Sequence, residues 1–452
     1  MSQFTLNRRQ ILMLMSSTAL LPLAIPAMAQ SQNPAVRLIV LSDLHSAYER
    51  SAQLLAAIAD EVEASEVPVA ILINGDVFEL GNVVTVRSEG EIDWALLEAF
   101  AGLAPTILNI GNHEPDLDND LHNVIAKAED RGVTVISNIL DSRTGEPYAP
   151  ASLSLDLDGT PVTIVGLGTA AVNTYPAATR EMIDVPEPVQ WAEENLDSLL
   201  DPSSLRVVLS HAGITADRAI LPTLADGTLL IGGHDHVVLD HTQGATRYVH
   251  TGSWSSLYTV VDMDPSGPLA VERREIDLSG RADETLAALI ATMMDTHLTD
   301  EERAVVGTSE SALSLADSAR FAAAAMAQAA GADIGFIGHT TFGTGFPQGE
   351  VTKYAFDSIV RFDGTLRTAE VSREVLAEIL TRTNQDGDIP LENRTGDFLY
   401  AAPTDLPDQD TYVIAANDWS ATNQKNYFGR EDLDFTDVPD APAIKALVVD
   451  AL

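Results

Sequence analysis

Five apolar runs between residues 36 and 231 each end in side chains of the kind that bind divalent metal ions. The runs have the length and continuous apolar character of buried strands, and segments with helical apolar spacing separate the first of them. The polar sites that follow the runs are Asp43-Leu44-His45, Gly75-Asp76, Gly111-Asn112-His113-Glu114, Ser210-His211 and Gly233-His234-Asp235-His236. Open α/β sheets place their ligands at the carboxyl ends of strands, so this order predicts a single site at one edge of an α/β fold with a mainly parallel sheet.

The residue types at these strand ends predict a metal site. A single Asn-His-Glu is weak evidence and could be only a polar turn. However, the chain has 10 histidines, and those at the strand ends are His45, His113, His211, His234 and His236. Oxygen and imidazole donors without sulfur suit Mn, Zn, Mg, Co or Fe rather than copper. With 0 cysteines, the sequence excludes disulfides, thiolate metal sites and cysteine nucleophiles.

The length and charge of the chain narrow its organisation and its partners. A chain of 452 residues is typical of two domains. Its formal net charge of −41 repels nucleic acid and anionic membranes, so neither is an expected partner. The acidity is interpreted as a solvated surface.

Residues 1–29 have the pattern of an export signal of the Tat type. The twin arginine Arg8-Arg9 precedes a moderately apolar stretch over 11–25, and Ala27-Met28-Ala29 fits a signal-peptidase site. The alternative is a membrane anchor, but serines, a threonine and two prolines make the apolar stretch short for a span. We therefore expect export by the Tat machinery, cleavage, a periplasmic location and no stable membrane anchor.

Strand and helix patterns predict a catalytic domain over 30–278, a linker helix within 279–304 and a second domain over 305–452. Strands and helices alternate up to about residue 137, and the strands at 152–157 and 162–166 read as antiparallel. In the second domain the pattern predicts helices at 314–330 and 371–382. It also predicts three strands, at 333–337, 359–367 and 412–416.

The ordered motifs over residues 36–275 resemble the calcineurin-like metallophosphoesterases. With Pro115 and Asp116 following the Asn-His-Glu motif and with a second domain, the chain is similar to the bacterial periplasmic 5′-nucleotidase family. The resemblance implies a four-layer β-sandwich flanked by helices and a smaller α+β C-terminal domain. It also implies two divalent cations, one held by Asp43, His45, Asp76 and His236 and the other by Asp76, Asn112, His211 and His234. In this family His113 and Asp116 match the catalytic dyad, whereas Glu114 is interpreted as structural.

The second domain departs from the family in two loops. The family clamps a nucleobase between two aromatic rings, which Phe362 and Tyr427 match. The family's Asn-Gly-Gly-Gly-Ile-Arg loop is replaced by residues 338–343, which lack its arginine, and the Gly-Gly-Asp-Gly turn is replaced by 423–426. His339, in the first of these loops, is a further candidate for substrate binding.

These observations predict a periplasmic enzyme that hydrolyses small phosphate esters with two divalent metal ions, with nucleotides as the expected substrates. One alternative keeps the catalytic domain and changes the substrate, giving a cyclic-nucleotide phosphodiesterase or a thiosulfohydrolase-like enzyme. Another is a non-catalytic ligand-binding protein. The full set of predicted metal ligands and the His113–Asp116 pair argue against a non-catalytic protein, because ligand binding alone requires neither.

Overall fold

The computed structural model describes residues 34–387 and 389–452, so the export signal predicted at 1–29 lies outside the described residues. The strands of the described chain are β1 Val36–Leu41, β2 Val69–Ile73, β3 Thr106–Asn109, β4 Val133–Ile136, β5 Leu140–Asp141, β6 Ser152–Leu157, β7 Thr160–Leu167, β8 Ile183–Asp184, β9 Leu205–Ser210, β10 Leu229–Gly232, β11 Val238–Gln243, β12 Thr246–Thr251, β13 Leu257–Asp264, β14 Gly267–Glu275, β15 Val305–Ser309, β16 Ile334–Gly338, β17 Gly349–Thr352, β18 Leu366–Ser372, β19 Leu399–Ala402, β20 Thr411–Asn417 and β21 Thr436–Asp437.

The α-helices in the same residues are α1 Tyr48–Ala64, α2 Val83–Arg87, α3 Glu91–Leu103, α4 Leu121–Glu129, α5 Pro188–Leu199, α6 Ile214–Ile220, α7 Glu284–His297, α8 Asp300–Arg303, α9 Leu315–Ala330, α10 Lys353–Ile359, α11 Arg373–Leu380, α12 Asp418–Thr422, α13 Gln424–Phe428 and α14 Ile444–Ala451. Short 3-10 turns lie at Glu114–Asp116, Val172–Thr174, Leu221–Thr223, His339–Thr341 and Leu391–Asn393. None of the helices in the described ranges is long and apolar enough to cross a membrane.

Two six-stranded sheets form the catalytic part of the chain. The first has the order β14-β13-β1-β2-β3-β4, in which β1 to β4 are parallel and the hairpin of β13 and β14 closes one edge in antiparallel orientation. The second has the order β11-β12-β10-β9-β7-β6 and is also parallel at its centre. The antiparallel pairing predicted for β6 and β7 is present.

The alternation of side chains along β1 explains why its sequence is apolar throughout. Leu38 and Val40 face the second sheet, whereas Ile39 and Leu41 face the helices α1, α3, α4 and α7, and all four are 0% exposed. A strand buried on both faces has no polar face to show. Helices α5 and α6 cover the outer face of the second sheet, where Leu196 and Ile220 join its core. The result is the predicted four-layer arrangement of helices, sheet, sheet and helices.

A smaller α+β unit follows, with a five-stranded sheet in the order β19-β16-β20-β18-β21. Its Ala-rich helix α9 packs against one face through Ala319, Ala323 and Met326, and residues of α11 and α13 pack against the other. The chain from Pro34 to Leu452 is one compact unit by its contacts, and the domain boundaries predicted at 278 and 305 stay predictions.

The strand predicted at 359–367 is wrong. Helix α10 ends at Ile359, residues 360–365 form a loop, and β18 begins at Leu366. The Thr352 side chain accepts a hydrogen bond from the Ala355 backbone N–H at 3.2 Å and caps the start of this helix, which takes in Ile359, the first residue of the predicted strand. The loop that replaces the strand carries Arg361 and Phe362 out of the sheet.

Candidate metal centre and substrate cleft

The seven side chains predicted as metal ligands meet at the carboxyl ends of strands from both sheets. In the first sheet, Asp43 and His45 follow β1, Asp76 follows β2 and Asn112 follows β3. In the second sheet, His211 follows β9, and His234 and His236 follow β10. Face-to-face packing of the sheets brings these ends together. The structure therefore assembles all seven, and their role as ligands remains a prediction.

Five of these positions have a left-handed backbone. The φ angles are 52° at Asp43, 50° at His45, 56° at Asp76, 76° at His234 and 54° at His236. Non-glycine residues in this region carry strain of about 1–3 kcal/mol each and collect at functional sites, although Asp and His tolerate it better than most. The sharp turn at each strand end lets residues two positions apart, such as Asp43 and His45, face the same point.

The donor atoms form two adjoining groups that share Asp76. In the first group, His236 Nε2 lies 2.9 Å from His45 Nε2 and 3.6 Å from Asp43 Oδ1. In the second, Asp76 Oδ2 lies 3.1 Å from His211 Nε2, while His234 Nδ1 lies 2.8 Å from Asn112 Oδ1. The same Asp76 oxygen is 3.9 Å from His45 Nε2 and so lies between the groups.

The burial and chemistry of these donors fit a pair of divalent cations. Asp43 and His211 are 0% exposed, and His45 and Asp76 are 1% exposed. Burying two carboxylates carries a large desolvation cost, which divalent cations bound between them would offset. In the described chain, four sets of His and acidic side chains bring their donor atoms within 4.8 Å of one another: Asp43–His45–His236, Asp76–His211–His234, His45–Asp76–His113 and Glu79–His113–Asp116. The first two sets match the two predicted cation sites.

The buried setting also selects protonation states. Burial, with the nearby Arg361 charge, lowers the pKa of His45 to about 4, which keeps its imidazole in the neutral form that binds metals. Burial raises the pKa of Asp43 to about 6. Burial opposes ionisation of Asp76 as well, but the adjacent His211 and His113 hold its pKa well below the ordinary value.

His113 and Asp116 form the predicted pair beside the metal ligands. Asp116 Oδ2 lies 2.9 Å from His113 Nδ1 and also accepts the Leu80 backbone N–H at 2.7 Å, which fixes the carboxylate. The His113 backbone N–H donates to Asp76 Oδ1 at 2.7 Å. Burial lowers the pKa of His113, but the Asp76 and Asp116 carboxylates more than offset this and raise it to about 9.

Glu114 ties together the loops that carry Asp76 and Asn112. Its carboxylate accepts the backbone N–H groups of Asp76 at 3.0 Å and Val77 at 2.8 Å, as well as that of Gly111. The side chain is therefore engaged with the backbone, in keeping with the structural role expected for it.

A cleft of about 440 Å³ connects this centre with the second domain. Asp76, Asn112, His113, His234 and His236 line it on one side, and Phe362, Trp419 and Tyr427 on the other. Phe362 is 48% exposed and Trp419 is 53% exposed, whereas Tyr427 is only 5% exposed. Of the two aromatic residues predicted to bind substrate, Phe362 thus offers a free face, while most of the Tyr427 ring is covered.

His339, the third predicted substrate residue, is 4% exposed and is not among the residues that line this cleft. Its ring stacks on Phe398 with centroids 4.2 Å apart, and its Nε2 lies 3.1 Å from the backbone oxygen of Asp235. It joins the second domain to the loop between His234 and His236, and its role in substrate binding stays a prediction.

Sequence reasoning missed a group formed by Arg361, Glu79 and Trp254. Arg361 Nη2 donates to Glu79 Oε2, and its guanidinium lies 4.6 Å from the centre of the Trp254 ring. Trp254 stacks on His45 with centroids 4.6 Å apart, and Glu79 Oε2 is 3.3 Å from His45 Nδ1. These residues surround a predicted ligand. Glu79 and Trp254 lie outside the predicted motifs, whereas Arg361 directly precedes Phe362 and was not singled out. Trp419 lies in the segment that leads to Tyr427 and was not singled out either.

Residues 36–238 match the family model for calcineurin-like phosphoesterase. This part of the chain is therefore a calcineurin-like phosphoesterase domain, of a family that uses a pair of metal ions and acts on small phosphate esters.

Several solved structures share the fold over most of the chain. A 5′-nucleotidase precursor from Thermus thermophilus has 18% sequence identity and a TM-score of 0.60, and the match covers 92% of this chain and 96% of that one. The sulfate thiohydrolase SoxB of Thermus thermophilus has 14% identity, a TM-score of 0.61, and coverage of 93% and 94%. A 5′-nucleotidase from Candida albicans has 10% identity, a TM-score of 0.57, and coverage of 93% and 98%. No curated protein matches the sequence significantly.

Proposed function

We propose that this protein hydrolyses phosphate monoesters, with nucleoside monophosphates as the preferred class, and that it requires two divalent cations. The observation that carries the proposal is the shared cleft: four of the seven candidate metal ligands, His113 and two exposed aromatic rings line the same space.

The cations would be held by Asp43, His45, Asp76 and His236 and by Asp76, Asn112, His211 and His234. When bound, such a pair supplies Lewis-acid activation of water and neutralises phosphoryl oxygens. His113 contributes from the chain itself. Its Nδ1 is engaged by Asp116, so Nε2 is the nitrogen left to contact an ester oxygen and to donate a proton to it. Asp116, held by the Leu80 N–H, keeps the ring oriented.

Phe362 and Trp419 would stack on the base. An aromatic ring typically contributes about 1–3 kcal/mol per stacked base, and these two have the exposed faces needed to receive one. The test compares AMP with p-nitrophenyl phosphate on Mn²⁺-loaded wild type and on Phe362→Ala, Trp419→Ala and Tyr427→Ala. We expect the first two variants to lose about 5- to 150-fold in kcat/KM on AMP and little on p-nitrophenyl phosphate.

Equal losses on both substrates would show that the rings are structural, and a selective loss in Tyr427→Ala would restore the pair predicted from the sequence. Wild type should also hydrolyse p-nitrophenyl phosphate much faster than bis-p-nitrophenyl phosphate. The reverse order would favour the phosphodiesterase alternative. Failure on all phosphate esters together with hydrolysis of a sulfur ester would favour the thiosulfohydrolase-like alternative.

A further inference from the structure

The cleft is poor in positive charge beyond the predicted metal centre. Apart from the proposed ligands and His113, the ionisable side chains that line it are Arg361, Asp235, Asp363, Asp397 and the phenol of Tyr427. Apart from Asn112, the amides that line the cleft are Asn173, Asn417, Asn423 and Asn426. A substrate in the cleft therefore meets one cation and three carboxylates beyond the predicted metal centre.

The charge of Arg361 is already matched by a partner. The side chain is 4% exposed, pairs with Glu79 and donates from Nη1 to the Thr340 carbonyl at 3.2 Å. Its Nε is buried and has no hydrogen-bond partner. Two of the five N–H groups are thus engaged, and the positive charge as a whole is balanced by the Glu79 carboxylate.

None of the three carboxylates has such a partner, and Arg382 and His339 act on Asp397 only from beyond ion-pair distance. Asp235 accepts the Ile214 backbone N–H, and Asp363 Oδ1 accepts the N–H groups of Gly364 at 2.9 Å and Lys445 at 3.0 Å. These are neutral donors, which satisfy oxygens without cancelling charge. In the ranges that the structure describes, no lysine or arginine makes an ion pair with Asp235, Asp363 or Asp397.

We propose that the cleft selects substrates that carry a single phosphoryl group on an uncharged or cationic aromatic moiety, and that it discriminates against nucleoside di- and triphosphates. The inference rests on the proposed function and names the substrate class of the same site. With one phosphoryl group at the metals, a second would lie in a passage whose guanidinium is neutralised and whose remaining charges are negative. Like charges brought together in a partly closed site oppose binding strongly.

The experiment measures phosphate release from AMP, ADP and ATP by the metal-loaded mature protein. We expect kcat/KM for AMP to exceed that for ADP at least about 30-fold, with ATP lower still. Asp397→Asn removes one negative charge from the cleft lining and should narrow the AMP-to-ADP ratio about 3- to 10-fold. Similar rates for the three nucleotides, or an unchanged ratio in Asp397→Asn, would overturn the inference.

Asp410→Asn is the matched control. Asp410 has a fully exposed side chain whose nearest arginine nitrogen, on Arg373, is 3.8 Å away, and it does not line the cleft. It removes the same charge from the molecule, so it should leave the AMP-to-ADP ratio as in wild type. A shift equal to that of Asp397→Asn would assign the selectivity to the overall charge of −41 and overturn the inference.

Calorimetric binding of the same nucleotides separates this inference from the proposed function. If no nucleotide is hydrolysed, the proposed function fails, but tighter binding of AMP than of ADP still supports charge selection. Equal or tighter binding of ADP, or no binding of AMP, overturns it.

Discussion

At the scale of single residues, Asp76 has the most demanding position because its two carboxylate oxygens serve different partners. Oδ1 accepts the His113 backbone N–H, and Oδ2 faces His211 and His45. Asp76→Asn keeps an oxygen for the backbone but removes the negative charge shared by both donor groups. We expect the variant to stay folded by circular dichroism, to lose most of its bound metal and to have negligible turnover. Two full equivalents of metal in the purified variant, with normal rates, would refute the bridging position.

His113→Ala should behave in the opposite way. The His113 imidazole is oriented by Asp116 and is not one of the seven proposed ligands, so both metals should remain bound. We expect kcat to fall by about 10²-fold or more, with a smaller change in KM, because a proton donor acts mainly in the transition state. Asp116→Asn is the companion variant, and it should lower kcat less while keeping the imidazole in place. Unchanged kcat in His113→Ala with both metals bound would make His113 a turn residue only.

At the scale of elements, the ends of β2 and β3 approach so closely that only glycine fits at Gly111. A Cβ there would lie 2.4 Å from Asp76 Oδ1 and 2.8 Å from His211 Cε1. Gly111→Ala should therefore lower the free energy of unfolding by about 1–3 kcal/mol, as overpacking does, and should reduce metal content.

Gly102→Ala, in helix α3, is the control for this substitution. Nothing lies within 4 Å of its added Cβ, and it should raise the free energy of unfolding by about 0.5–1 kcal/mol. Chemical denaturation of both variants measures the difference. Equal changes in the free energy of unfolding would show that the loops after β2 and β3 can move to accommodate a Cβ at Gly111.

The helices and strands also show which parts of the fold could be predicted from the sequence. Strands β1, β2 and β3 could be predicted because they are buried on both faces and read as apolar runs, and the polar residues after them follow from the fold's geometry. Helix α10 could not be predicted, because its start depends on the side-chain cap at Thr352. Strand β19 could not be predicted either, because it has too few residues to show an alternating pattern. Arg361 gave no signal because its partner Glu79 is 282 positions away in the sequence. Only the packing of the second domain brings the two together.

At the scale of the whole molecule, the Arg361–Glu79 pair joins the second domain to the metal centre. Both side chains are buried, at 4% and 7% exposure. Arg361→Gln would leave the Glu79 charge unpaired, and breaking a buried pair in this way typically costs about 3–5 kcal/mol. The double variant Arg361→Gln/Glu79→Gln should recover most of that loss. Denaturation of the two single variants and the double variant forms the cycle that measures the coupling.

The exposed pair of Arg373 and Asp408 provides the comparison, with 42% and 85% exposure. Arg373→Gln should cost no more than about 1 kcal/mol. If Arg361→Gln costs equally little, the contact between the domains does not depend on this pair.

The left-handed backbone at five of the candidate ligands has an evolutionary consequence that is separate from metal chemistry. Asn and Gly adopt this conformation readily, whereas Val, Ile and Thr do not. Homologues that are no longer under selection for hydrolysis would therefore keep the strands of the fold. At these five positions, we expect Asp or His to be replaced first by Asn or Gly. Inactive relatives are expected to have Gly-Asn or Gly-Gly where this chain has Gly75-Asp76. Their sequences should show these substitutions while the apolar strand patterns are retained.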